Sequence, residues 1–252
     1  MSVGMNTKTE QPPNKPAVND STSWVHRAPP IVLALIGLMV FVSAAMTWGP
    51  KPSVLYVEHW GAIVPVRYNP NYIANTGLLI LLTSPVTYQF FHGGFLHLFL
   101  NSMFLLAFGT PVALRMIAMR GAVRGSMVFL AFFLVSGVVS GMAFVLLHLT
   151  SPFHVIGASG SVSALMAAAI ILMETARLRA QGFVSSGQSN RLAPVTSPMV
   201  MRFSLSIIGL NLAIAILGEF IVPGGAQIAW EAHIAGYLFG LFAYPVVDRF
   251  MR

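Results

Sequence analysis

Six apolar stretches constrain this 252-residue chain most, because each is close to the length that crosses a bilayer, about 20 residues. They are Ile31–Trp48, Phe95–Leu114, Ser126–Leu149, Val155–Met173, Phe203–Val222 and Ile228–Val247. Hydrophobic residues make up 56% of the chain and charged residues only 8%, whereas about a quarter of the residues in a soluble domain are charged. No stretch alternates as the strand of a β-barrel does. The sequence therefore predicts an all-α membrane protein, a bundle of six transmembrane helices.

The basic residues are divided unevenly between the two sides of these spans. Twelve of the fourteen lie before the first span, between spans two and three, between spans four and five, or after span six. Only Lys51 and Arg67 lie on the other side. The positive-inside rule then predicts that both termini are cytoplasmic. The bases are scattered and build no patch, so the net charge of +7 does not predict a nucleic-acid partner.

The segments outside the spans differ in composition. Residues 1–30 are polar and proline-rich, which predicts a disordered cytoplasmic tail ahead of a six-span domain at 31–252. Gly182–Ser197 is rich in Ser, Gly and Pro and predicts a flexible cytoplasmic loop. Gly49–Gly94 is too long for a simple connector, and its short apolar patches predict a structured loop at the outer membrane surface.

Polar side chains at membrane depth are costly, so each is a candidate for function. The first group stands at the head of span two and comprises His92, His97 and Asn101. His97 and Asn101 are four residues apart and share one helix face. Either they act on a substrate or they are ordinary hydrogen-bonding residues between helices.

The second group, Gly157-Ala-Ser159-Gly160, stands at the head of span four. Gly157 can take a positive φ. The backbone N–H groups in the first turn of a helix have no intrahelical acceptor and favour negative charge. A serine here would lie beside an anion site. The alternative is that the small residues serve only close helix packing.

The third group lies in span six, where His233, Gly236 and Gly240 share one face. Glycines on that face favour contact with another small-faced helix, and span four is the obvious partner. Such packing would bring His233 beside Ser159, the pairing that activates a serine nucleophile. A histidine satisfied by any neighbour is the alternative. All three groups lie at one depth, just below the outer surface.

With these motifs in place, the sequence resembles the rhomboid family of intramembrane serine proteases. The resemblance extends from about Ile31 to the C-terminus. It rests on HxxxxHxxxN (His92, His97, Asn101), GASG (Gly157 to Gly160) and AHxxGxxxG (Ala232, His233, Gly236, Gly240). Two stretches, Gly61–Arg67 and Thr83–His92, also resemble the loop before span two in bacterial members.

The resemblance implies a serine endopeptidase that cleaves transmembrane substrates in the lipid bilayer, with no cofactor and no metal. Ser159 would be the nucleophile and His233 the general base. His97 and Asn101 would bind the oxyanion with the Ser159 backbone N–H, while His92, Gly157 and Gly160 would support the site. Span five and the cap Pro223–Trp230 would form a lateral gate for the substrate.

The chain departs from the family pattern at Ser163, four residues after the proposed nucleophile. Several members have an aromatic ring there, stacked on the base histidine, so the resemblance leaves open how the His233 ring is held. The first loop also lacks the Trp-Arg pair of some members.

The sequence disfavours three other classes of protein. An inactive rhomboid relative that binds membrane clients would generally lack the serine or the histidine, and both are present. A metal or haem protein is disfavoured, since the chain has no cysteine and no HExxH run. A transporter is disfavoured because the acids near membrane depth, Glu174, Glu219 and Glu231, lie close to span ends.

Overall fold

The structure is a computed structural model that describes residues 28–183, 191–221 and 229–252. These residues form nine α-helices: α1 Pro30–Trp48, α2 Lys51–Gly61, α3 Leu78–Thr87, α4 Phe95–Phe104, α5 Thr110–Arg120, α6 Ala122–Leu147, α7 Ser159–Ala180, α8 Pro198–Ile221 and α9 Trp230–Phe250. A π-helical turn, Leu105–Gly109, joins α4 to α5. In this part of the chain β pairing is confined to one isolated bridge between Ile63 and Val155.

Five helical stretches in the described residues are long and apolar enough to cross a membrane. They are Pro30–Trp48, Phe95–Arg120, Ala122–Leu147, Ser159–Ala180 and Pro198–Leu217. The sixth predicted span forms α9, which is not among these five and carries several ionisable side chains: Glu231, His233, Asp248 and Arg249. The all-α membrane fold is thus confirmed, while the sixth crossing and the cytoplasmic termini stay predictions.

The centre of the bundle is the contact between α7 and α9. The backbone of α9 at Gly236 lies against the carbonyl oxygen of Gly160, and at Gly240 it lies against the carbonyl oxygen of Ala164. A Cβ at either glycine would overlap the facing carbonyl. The two helices therefore touch backbone to backbone, which only a side-chain-free face permits.

The predicted start of the fourth span and the first residue of its helix differ by four residues. The sequence places it at Val155, but α7 begins at Ser159. The Val155 N–H donates to the carbonyl of Ile63 at 2.8 Å, which holds this residue extended. Gly157 then takes φ +118°, a conformation that other L residues rarely adopt. Together these constraints make Ser159 the first residue of the helix.

The predicted outer loop between the first two spans contains α2 and α3, and its last residues reach into the bundle. The Tyr88 hydroxyl donates to the carbonyl of Gly137 on α6 at 2.6 Å. The buried Gln89 side chain accepts a hydrogen bond from the Ser161 hydroxyl on α7 at 2.8 Å. The Gly157 N–H donates to the carbonyl of Tyr88 at 2.9 Å. The end of the loop thereby positions the residues that precede Ser159.

Two predicted cytoplasmic segments fall partly outside the described residues. The structure does not describe residues 1–27 of the N-terminal tail or residues 184–190 of the loop between α7 and α8. The remainder of that loop was predicted to be flexible, but it is docked on α7. The Ala193 N–H donates to the Thr175 hydroxyl at 2.8 Å, and Ala193 is buried.

Candidate active site

Ser159 and His233 meet where α7 and α9 begin. The Nε2 atom of His233 lies 2.7 Å from the Oγ atom of Ser159. His233 is in the first turn of α9, one turn before the glycine contact at Gly236. A second link lies beside it, since the Ser140 hydroxyl on α6 donates to the carbonyl of Ala232 at 2.7 Å. The serine and the imidazole are therefore carried by helices whose separation is fixed by backbone contact.

His97, in the first turn of α4, lies against the segment that precedes Ser159. The Gly93 N–H is directed at its Nδ1 atom at 3.3 Å. A neutral imidazole that accepts at Nδ1 carries its proton on Nε2. That edge of the ring faces Gly157, where an added Cβ would lie 2.7 Å from Cε1 and Nε2 of His97. The absence of a side chain at Gly157 thus lets an N–H donor approach the segment that leads into Ser159.

Asn101 lies one helical turn after His97 and is 4% exposed. Its Nδ2 donates to the carbonyl of His97 at 2.9 Å, which fixes the plane of the amide. An amide NH₂ has two protons, so a second N–H is present beside the one used in this bond.

His92 lies behind His97, in the connection before α4. The two rings meet edge to face, with centroids 5.0 Å apart and planes at 68°. The Nδ1 atom of His92 lies 3.5 Å from the Ser43 hydroxyl of α1. Burial, reinforced by the neighbouring His97, lowers the pKa of His92 to about 4. His92 is therefore neutral at physiological pH and packs as an uncharged ring.

A residue not predicted from the sequence completes the arrangement. Asn211 of α8 is buried, and its Oδ1 atom lies 3.0 Å from the Nδ1 atom of His233. The sequence does contain a sign of its importance: Asn211 is an amide within the fifth apolar stretch, where an unpaired polar group is costly. Gln89 is a second unpredicted residue. It sits in an aromatic run of the outer loop, and nothing in that local pattern indicates its contact with Ser161.

Two of the acids near the span ends have side-chain partners in the described residues. Glu174 binds Arg177 at 2.6 Å, and Glu231 lies 2.9 Å from His148. Within the described ranges, no three His, Cys, Asp or Glu side chains form a group that could hold a metal ion.

No curated protein matches the chain. The family model of the Rhomboid domain matches residues 82–249, well over half of the 252 residues. The match includes every candidate residue from His92 to His233. The chain therefore belongs to the rhomboid family.

Proposed function

We propose that this protein is an intramembrane serine endopeptidase in which Ser159 and His233 form a catalytic dyad. One observation carries the proposal, the 2.7 Å contact between the Ser159 hydroxyl and the His233 imidazole at the N-terminus of α7. Rhomboid proteins are mostly intramembrane serine proteases, and inactive relatives also exist. The presence of both dyad side chains at bonding distance favours an active enzyme.

The dyad accounts for both proton transfers of peptide hydrolysis. His233 Nε2 takes the Ser159 hydroxyl proton while Oγ attacks the carbonyl carbon of the substrate. When the tetrahedral intermediate collapses, the C–N bond breaks and His233 returns the proton to the departing amine. A water molecule then attacks the acyl-enzyme by the same sequence of transfers and releases the carboxylate product.

The proposed oxyanion site has three hydrogen-bond donors. The first is the Ser159 backbone N–H, which belongs to the first turn of α7. The second is the Nε2–H of His97, whose tautomer follows from the Gly93 contact. The third is the remaining N–H of Asn101. His92, Gly157 and Gly160 are supporting residues, since they pack His97 and allow α9 to approach.

The substrate is proposed to be a transmembrane segment that enters beside α8. Only 11% of the residues in the apolar stretch of α8 are buried, so this helix is the least packed side of the site. A helical substrate must unwind locally, because its carbonyls are bonded within the helix. Gly or Pro near the cleaved bond would lower that cost. Most of the predicted cap, residues 223–228, lies outside the described residues.

The charge distribution supports an orientation with both termini in the cytoplasm. The helix starts that carry His97, Ser159 and His233 would then lie near the outer surface, where water can enter. The proposed location is the inner membrane of a bacterium. The proposal includes no cofactor, no metal and no nucleic-acid partner.

The test is labelling of the detergent-solubilised protein by a fluorophosphonate, which reacts with activated serines. We expect the parent to be labelled and Ser159→Ala and His233→Ala to be unlabelled at unchanged thermal stability. Ser206→Ala removes an exposed serine of α8 and is the matched control, which should label as the parent does. A folded parent without label, or a labelled Ser159→Ala variant, would refute the dyad. The former result would favour a client-binding relative.

A further inference from the structure

The Asn211 side chain is a buried amide in an apolar helix. It is 8% exposed and lies in the interior of α8, the helix beside α9. Both polar ends of the amide are engaged. Nδ2 donates to the carbonyl of Ile207 at 2.9 Å, and Oδ1 lies 3.0 Å from Nδ1 of His233.

These two contacts fix the orientation of the amide. The Ile207 carbonyl can only accept a hydrogen bond, so the NH₂ end of Asn211 must face it. The oxygen end must then face His233, and an amide oxygen can only accept. His233 therefore has to donate from Nδ1. The hydrogen-bond network, rather than an arbitrary choice of amide rotamer, determines this assignment.

The tautomer of His233 follows directly. A neutral imidazole with its proton on Nδ1 has a free lone pair on Nε2. That lone pair is the acceptor for the Ser159 hydroxyl at 2.7 Å. The opposite tautomer would place a proton on Nε2, where the ring could not take one from serine.

We infer that Asn211 is a positioning residue of the proposed protease, holding His233 in the tautomer and ring plane that accept the serine proton. This inference rests on the proposed function. It also explains how the ring is held although the residue four after the nucleophile, Ser163, has no aromatic ring to stack on it. The amide oxygen can keep its hydrogen bond when the ring becomes an imidazolium, so it favours the proton transfer as well as the starting geometry.

The experiment compares rates of fluorophosphonate inactivation among three variants and the parent. Asn211→Leu keeps a similar volume but removes the acceptor, and we expect about a hundredfold slower inactivation, given the larger loss seen for a wrong tautomer in a Ser-His-Asp triad. Asn211→Asp restores an oxygen acceptor and should recover the rate to within about tenfold of the parent.

Tyr237→Phe is the matched control. Tyr237 shares a hydrogen bond of 3.0 Å with Ser204, which is another polar contact between α8 and α9. A structural role for such contacts would slow the Leu and Phe variants alike, whereas a positioning role slows only Asn211→Leu. Equal rates for parent and Asn211→Leu, or no recovery in Asn211→Asp, would overturn the inference.

A measurement on the parent keeps the inference testable if Asn211→Leu does not fold. In ¹⁵N-histidine-labelled protein, the His233 ring, assigned by loss of its signals in His233→Gln, should carry its proton on Nδ1 at neutral pH. A proton on Nε2 would overturn the inference. A parent that is not labelled by the fluorophosphonate refutes the proposed function instead, and the ring spectrum still reports the tautomer.

Discussion

The two helices that flank His233, α7 and α8, are packed in different ways. In the apolar stretch of α7, 61% of the residues are buried in the protein. In the apolar stretch of α8, only 11% are buried. The difference continues in the contacts with α9. Gly236 of α9 lies against a carbonyl of α7, while α8 reaches α9 through the hydrogen bonds of Asn211 and Ser204.

This difference separates two tasks within one site. The distance between Ser159 and His233 depends on backbone contact, which has one geometry because glycine leaves no side chain to rearrange. The orientation of the His233 ring depends on an amide from the less packed helix. The proposed nucleophile and base thus belong to the more tightly packed side, and the amide proposed to orient the base belongs to the side proposed to admit substrate.

The largest expected effect comes from filling the glycine contact. A Cβ at Gly236 overlaps the Gly160 carbonyl, and backbone cannot move aside as a side chain can. We expect Gly236→Val to lower the free energy of unfolding by about 3 kcal/mol or more and to abolish fluorophosphonate labelling. The loss of stability is measured as a lower temperature of aggregation in detergent, with size-exclusion chromatography to detect the aggregate.

Gly209 of α8 is the matched control for that change. Apart from the backbone of its own helix and its chain neighbours, nothing lies within 4 Å of a Cβ built at Gly209. Gly209→Val should leave stability and labelling close to those of the parent, since it fills open space. Equal destabilisation at both glycines would show that α8 is as tightly packed as α9.

The next effect compares two leucines that differ in burial. Leu165 of α7 is fully buried, whereas Leu205 of α8 is 65% exposed. We expect Leu165→Ala to cost roughly 2 to 4 kcal/mol because it leaves a cavity. Leu205→Ala should change the melting temperature by no more than a degree or two, since the side chain has few partners to lose. A cost for Leu205→Ala as large as for Leu165→Ala would contradict the comparison.

Much of this architecture follows from the sequence. The length of the apolar stretches predicts the helices, and the spacing of Gly236 and Gly240 predicts the face of α9 that meets α7. The start of α7 does not follow, because the bridge of Val155 to Ile63 depends on a residue about 90 positions away. The contact of Asn211 with His233 also depends on how α8 is placed, which no local pattern specifies.

The smallest expected effect tests the remaining polar contact of α8. The Ser204 hydroxyl donates to the carbonyl of Val200 at 2.8 Å, so in its contact with Tyr237 the tyrosine hydroxyl must be the donor. Tyr237→Phe removes that donor and leaves Ser204 bonded, which should cost about 1 kcal/mol. Ser204→Ala instead strands a buried tyrosine hydroxyl without its acceptor, and we expect a cost of about 1 to 3 kcal/mol.

Melting temperatures of the two variants measured side by side decide the point. A larger fall for Ser204→Ala would support the donor assignment and a close contact between α8 and α9 at this level. Equal values near that of the parent would mean that α8 separates from α9 here. In that case Asn211 would be the remaining polar link between the less packed helix and His233, the proposed base.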